Sequence, residues 1–251
     1  MKMSPRWLIA FSAPLLVVAL VLFIVLALIG VNVPIALLIS LVMVAIAAAL
    51  LYVFTDSIVA SMVGVKGVAP AKHHRLMNMV EDICVRAGVS EPAVYMIPSP
   101  VPDAVAFGRS AASTSLAVTS GLVEDLSLIE LEGVLSRELS RAKGGDTRFE
   151  TLAVPFTRLP LAAFGPLGKA LVDWARGTDR DVELDLAGVA LSGYPPGLVG
   201  ALNRIKNGSL KGTEARRSAL TDHLWVRGQG ASQPEPGQWA LDDRIALLRE
   251  L

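Results

Sequence analysis

The chain has 251 residues, 53% of them hydrophobic, a mean hydropathy of +0.53 and no formal net charge, a balance too apolar for an ordinary soluble protein. Its single cysteine, Cys84, excludes an internal disulfide. From residue 56 onward, 21 Lys and Arg stand against 23 Asp and Glu with no basic stripe or aromatic-interleaved patch, which argues against nucleic acid as a partner.

The excess apolarity sits at one end. No charged residue occurs between Trp7 and Thr55, and two apolar runs fill that interval, Trp7–Gly30 with 24 residues and Val33–Phe54 with 22. About 20 apolar residues cross the hydrocarbon core, so each run is long enough. A signal peptide also begins with cations such as Lys2 and Arg6, but its apolar core runs only about 7–15 residues and no second full-length run follows at once. Residues 1–55 therefore read as a transmembrane helical hairpin, with the lipid bilayer as its surroundings, and residues 56–251 as the domain it anchors. Lys2 and Arg6 precede the hairpin, Lys66, Lys72, His73, His74 and Arg75 follow it, and the Val31-Asn32 turn is uncharged. The positive-inside rule then places both termini in the cytoplasm of a multi-pass cell-membrane protein.

Asp56–Ala69 reads as a juxtamembrane connector. Pro70 suits the first turn of a helix running to Ala87, stopped by Gly88. Cys84 falls on that helix's apolar face with Leu76, Met79, Val80 and Ile83, which makes it a core residue. Ala93–Ile97, Ala104–Phe107 and Ser115–Thr119 are β-prone runs, the first two separated by Pro98, Pro100 and Pro102, and suggest a small antiparallel sheet. Ser127 with Glu130 forms a capping box for a helix ending at Gly144-Gly145, with Leu128, Leu131, Val134, Leu135 and Leu139 as its buried stripe. Leu152–Ala175 is apolar, yet Pro155, Pro160 and Pro166 break it and Arg158, Lys169 and Asp173 charge it, so it reads as packed on the domain or lying at the membrane surface. Thr178 suits the cap of a helix to Leu191, another spans Pro196–Ile205, Arg227–Gly237 is a loop, and Leu241–Leu251 is a final helix.

The stretch Asp103–Asp146, with "DAVAFGRS" and then "SLAVTSGLVEDLSLIELEGVLSRELSRAKGGD", strongly resembles the HtpX-type membrane zinc metalloproteases, the bacterial branch of the gluzincins. "DRDVELDLAGVALSG" resembles the family's third-ligand helix, and "TDHLWV" with "DDRIALLREL" its C-terminal end. The resemblance implies a mainly helical α+β fold, a gluzincin-like domain with a small sheet carried on a transmembrane hairpin. It also implies a zinc site in which His-Glu-x-x-His supplies two ligands from one helix face and a Glu as general base.

The matching residues here are Arg137, Glu138 and Arg141, with Asp181 at the third ligand. Guanidinium offers only donors and cannot ligate zinc, so no zinc or other cofactor is expected. Of the three histidines, His73 and His74 diverge on one helix and His223 matches a family position that does not bind zinc. An unconventional site using Asp146, Cys84 and the nearby carboxylates is the minor alternative. Without the dication, Glu138, Asp181 and Asp185 would repel one another, and two guanidiniums at i and i+4 supply the same +2. Arg137 and Arg141 are therefore expected to form an ion-pair centre with Glu138, Asp181 and Asp185. The competing picture is two solvated arginines beside an open cleft.

The function these features suggest is a proteolytically inactive HtpX-like homologue, an adaptor, subunit or regulator that binds a protein partner in a membrane assembly. One alternative is an active membrane metalloendopeptidase with non-standard or partner-supplied zinc ligands. Another is a scaffold whose hairpin does the binding.

Overall fold

Proline and the absence of charge shape the first two helices. In a computed structural model of the protein, which describes residues 5–65, 73–110, 113–161, 166–208, 220–226 and 239–251, α1 (Pro5–Leu28) and α2 (Val33–Val63) pack on each other and are each long and apolar enough to cross a membrane. Pro34 fits the first turn of α2, where no N–H is required. Inside α1, Pro14 has no N–H to offer the carbonyl of Ala10. Thr157, from the domain, donates its hydroxyl to that carbonyl at 2.8 Å.

Helix α2 does not end with its apolar run. Nothing breaks it before Gly64, which closes it at φ +91, so the residues from Asp56 to Val63, expected as a connector, are helical. These last turns enter the domain: Val59 and Val63, with Val65, pack among Ile97, Val105, Phe107 and Ala117.

Helix α3 (His74–Ala87) is capped by His73, whose Nδ1 accepts from the Leu76 N–H at 3.3 Å. The expected start at Pro70 lies outside the described residues. Leu76, Val80, Ile83 and Cys84 are buried, and burial together with the charge of Glu91 pushes the Cys84 thiol up to about 11, so it stays a protonated core group.

Strands β1 (Ala93–Ile97), β2 (Ala104–Phe107) and β3 (Ser115–Thr119) occupy the expected positions, in the order β1-β3-β2. The sheet is mixed rather than antiparallel, because β3 runs parallel to β1 and antiparallel to β2. Pro98, Pro100 and Pro102 deny β1 and β2 a tight hairpin. The chain reverses over a longer path, and β3 fills the gap between them.

After α4 (Ser120–Asp125), the Ser127–Glu130 capping box opens α5 (Leu128–Gly144). Leu131, Val134, Leu135 and Leu139 are buried in the main core with Leu76, Leu116, Leu198 and Leu202. Leu128, expected in that stripe, is 48% exposed because the helix begins at the surface. Gly145, at φ +79, turns the chain directly into α6 (Asp146–Ala153), which brings Glu150 back alongside α5.

Pro155 then opens one wide π turn, Val154–Arg158, in which the Leu159 N–H reaches the Val154 carbonyl at 2.8 Å. Helix α7 (Leu167–Arg176) and α6 pack on the start of α1: Val172, Ala175, Phe149 and Ala153 enclose Trp7 and Ala10.

Helix α8 (Arg180–Ser192) follows Asp179, which makes no side-chain cap bond, rather than the expected cap at Thr178. Helices α9 (Pro195–Gly208) and α10 (Leu241–Arg249) complete the main core. The expected loop Arg227–Gly237 lies outside the described residues.

Candidate functional site

Helices α5 and α8 meet at unusually short range because Gly188 has no side chain. A Cβ there would lie 2.7 Å from Arg137 Cα and 2.9 Å from its amide nitrogen. The approach sets Arg137 directly against the acidic first half of α8.

Arg137 is 1% exposed and uses all three guanidinium nitrogens. Its Nε donates to Asp185 Oδ1 at 2.7 Å, Nη1 to Glu138 Oε1 at 2.6 Å and Nη2 to Asp181 Oδ1 at 3.1 Å. Burial opposes its charge, and the carboxylates of Asp185, Glu138 and Asp181 outweigh that cost and hold it ionised.

Arg141 faces the other way. One nitrogen, Nη1, donates to the Leu224 carbonyl and lies 3.4 Å from Glu150 Oε2; the other, Nη2, donates to the Ala106 carbonyl and lies 3.6 Å from Glu138 Oε2. Its carboxylate partners are thus Glu138 and Glu150 rather than Asp181 and Asp185, and the two arginines do not share one carboxylate face. The physical reason is their position: Arg141 is next to the α6 return and the edge of β2, and its partners come from there.

Two arginines that the sequence did not single out complete the arrangement. Arg176 donates to Glu150 Oε1 at 2.8 Å and to Asp181 Oδ1 at 3.1 Å. Arg244 grips Asp185 with both Nε (2.6 Å) and Nη2 (2.8 Å), and its Nη1 reaches the Val226 carbonyl at 3.5 Å. The result is a closed alternating ring, Arg137–Asp181–Arg176–Glu150–Arg141–Glu138 and back to Arg137, with Asp185 and Arg244 attached at Arg137. Four guanidiniums and four carboxylates cancel.

The electrostatics follow from that balance. Burial raises Glu150, but Arg176 and Arg141 outweigh it and hold the carboxyl below the usual carboxylate range. Asp181, a quarter exposed, is held well below that range by Arg176, Arg244 and Arg137 against the effect of burial. His223 lies on the rim, buried, with Nε2 3.1 Å from the Glu150 carbonyl oxygen. Burial, with the nearby charges of Arg176 and Arg158, pushes it down to about 3 despite the pull of Glu150, so it is neutral at physiological pH.

The ring also seals the free edge of the sheet. The Ala106 N–H of β2 donates to Glu138 Oε2 at 2.8 Å while its carbonyl accepts from Arg141. Next along the strand, the Ala104 carbonyl accepts from the Val226 N–H at 3.1 Å and the Gly108 N–H donates to Thr151 Oγ1 at 3.0 Å.

Of the other residues weighed from sequence, His73 and His74 are exposed at the start of α3, Cys84 is in the main core, and the side chain of Asp146 lies outside the described residues. No group of three or more His, Cys, Asp or Glu suited to a metal exists among the described residues. The donor set itself does not fit zinc: guanidiniums hold two ligand positions and Glu138 and Asp181 are engaged by them. Glu150 had no signal in the sequence, and Arg176 and Arg244 had one. Two arginines against Glu138, Asp181 and Asp185 leave a net −1, and a buried cluster requires a further cation.

No family model and no solved structure matches the chain. Among curated proteins it is similar to a "Protease HtpX homolog" of Pyrococcus abyssi (strain GE5 / Orsay), 29% identical over 234 residues that cover 80% of this chain and 81% of the relative. A protein of the same name from Paraburkholderia phytofirmans is 29% identical over 233 residues, 80% of this chain and 82% of its own. That of Tropheryma whipplei (strain Twist) is 26% identical over 240 residues, 80% of each. With this similarity running through most of the chain, the two apolar helices and the mainly helical α+β fold, the chain is similar to the HtpX-like proteins along most of its length.

Proposed function

We propose that this HtpX-like membrane protein is proteolytically inactive and serves as an adaptor, subunit or regulator in a membrane protein assembly. One observation carries the reading. Glu138, at the general-base position, has Oε1 bonded to Arg137 and Oε2 bonded to the backbone of β2, whose outward groups are satisfied from within the chain. A carboxylate so engaged is not free to take a proton from a water, and a capped strand edge has no backbone groups left for an extended peptide. A partner is then bound elsewhere, on the hairpin or the surface beside it. In the same reading residues 1–55 are the membrane anchor and residues 56–251 face the cytoplasm with the N-terminus.

Metal analysis of purified protein, paired with a peptidase assay on unfolded casein, tests this. The expected result is no stoichiometric zinc and no chelator-sensitive cleavage. About one zinc per chain, lost to chelator together with cleavage, would favour a working metalloendopeptidase with ligands from outside the ring. A reporter fused after Leu251 checks the sidedness: activity restricted to the non-cytoplasmic side refutes it.

A further inference from the structure

Helix α7 has three faces. Gly168, Val172 and Ala175 are buried, the last two against Trp7 and Ala10 of α1, and Gly168 against Leu161 and the π turn. Lys169, Asp173 and Arg176 make a narrow polar stripe whose charges are spent inside the protein: Lys169 pairs with Asp173 at 2.8 Å and Arg176 belongs to the ring. The remaining arc holds Leu167, Ala170 and Trp174, with Leu167 52% and Trp174 45% exposed, and Leu171 at its edge is half-buried against the α1 contact. An apolar arc of this kind is wider than packing on the protein uses.

Its position says what covers it. The anchor points of α7 are Trp7 and Ala10, the first turns of an apolar helix that runs to Leu28. The guanidinium of Arg6, the last charge before that helix's apolar run, lies 5.8 Å from the Trp174 ring centroid. A tryptophan beside the last cation of a span marks the headgroup level of a bilayer. The same end of the hairpin carries an apolar groove of about 310 Å³ lined by Leu8, Phe11, Leu15, Tyr52, Leu152 and Phe156 among others. The exposed arc of α7 thus continues the lipid-facing surface of α1 around the edge of the domain.

We infer that α7 is an interfacial helix, lying at the headgroup–acyl boundary of the bilayer that α1 and α2 span, with Leu167, Ala170 and Trp174 inserted among the lipids. The inference rests on the membrane reading of the hairpin. The insertion is apolar: with Lys169 and Arg176 paired internally, it needs no anionic headgroup. The helix fixes the tilt of the domain, and it turns the domain's flank into part of the membrane surface.

The test is a set of nitroxide labels on the full chain in phosphatidylcholine vesicles, in a Cys84→Ala background. Ala170→Cys is the probe, Val21→Cys on the exposed mid-span of α1 the lipid control, and Asp243→Cys on the exposed face of α10 the water control. Collisions with oxygen should dominate those with a water-soluble nickel chelate at residues 21 and 170, with residue 170 the shallower, and the reverse should hold at 243. Chelate access at 170 with lipid access at 21 overturns the inference and leaves the membrane reading standing; chelate access at both overturns the membrane reading itself. A label at 170 shielded from both quenchers means protein covers the face, and that also overturns it. So does a requirement for anionic lipid. A measurement on the unlabelled protein is independent of cysteine placement. Quenching by lipids brominated near the headgroup should exceed that by lipids brominated near the chain end, and Trp174→Phe should remove the difference.

Discussion

Two seams hold this molecule together, and they are built from opposite materials. Between α5 and α8 a glycine lets the backbones touch and four buried arginines meet four carboxylates. Between α1 and the pair α6 and α7 the contact is Trp7, Ala10, Phe149, Val172 and Ala175, with one hydroxyl–carbonyl bond close by. The first seam is a closed set of charges, in which any single member is necessary because the others have been removed from water on its account. The second is an apolar contact, whose parts are nearly independent. Ionic closure gives steep, all-or-none losses; apolar contact gives graded ones.

The sharpest break is Arg137→Ala, which leaves Glu138, Asp185 and Asp181 without their shared partner. A loss of about 3–5 kcal/mol in unfolding free energy is expected, measured by denaturant titration of the detergent-solubilised protein. A loss below about 1 kcal/mol would place the ring with ordinary surface pairs. Histidine at both 137 and 141 should also destabilise the protein, since neutral imidazoles remove two of the four cations.

Gly188→Ala attacks the same seam without altering a charge. Its methyl would meet the Arg137 backbone at 2.7 Å, where no flexible side chain can yield, so α8 must move and Asp185 with it. The expected loss is at the upper end of the 1–3 kcal/mol range, roughly 3. If Ala is tolerated with no change in midpoint, the close approach does not position the ring.

Acid should separate the seams next. His223, depressed to about 3 in the folded state, binds a proton more readily when unfolded. Its contribution is therefore complete above its ordinary value near 6.5 and declines as pH falls from there toward 3. Glu150 and Asp181 are also held below their ordinary values, so their contribution declines as pH falls through the carboxylate range near 4 and below. The thermal midpoint should fall in two stages on acidification, and His223→Gln should flatten the first. Trp7–Phe149 stacking has no titrating group and should be indifferent to pH.

The sequence made these seams unequally legible. The capping box, the strand positions and the first apolar span are local patterns, and each appears where its residues indicate, within a turn, whereas the second span runs on past its apolar residues to Val63. The mixed sheet was not legible, because nothing in three short β-prone runs says that the last will insert between the others. At the site, Arg137 and Glu138 are neighbours in motif positions on α5 and Asp181 and Asp185 stand one helical turn apart on α8, and the structure brings these four together. Arg141 was assigned by helical spacing, and it keeps Glu138, yet its other partners are Glu150 and two carbonyls in place of Asp181 and Asp185, which depends on how Gly145 returns the chain. Arg176 and Arg244 reach the ring from helices distant in sequence, and only the unbalanced charge hinted at them. The apolar seam left even less trace, since Trp7 and Val172 look like any other apolar residues of their runs.

The smallest predicted effect lies in that second seam. Pro14 deprives the Ala10 carbonyl of its helical donor, and Thr157 supplies a replacement from the π turn. Both groups are buried, so losing the bond strands an acceptor rather than returning it to water. Thr157→Val, nearly isosteric, should cost about 1–2 kcal/mol. In a Pro14→Ala background the restored backbone N–H can satisfy the Ala10 carbonyl itself, as in an unbroken helix. Thr157→Val should then cost much less, so the double-mutant cycle should return a coupling of about 1 kcal/mol. A coupling of zero would mean that the hydroxyl is incidental, and that apolar contact alone seats the π turn on α1.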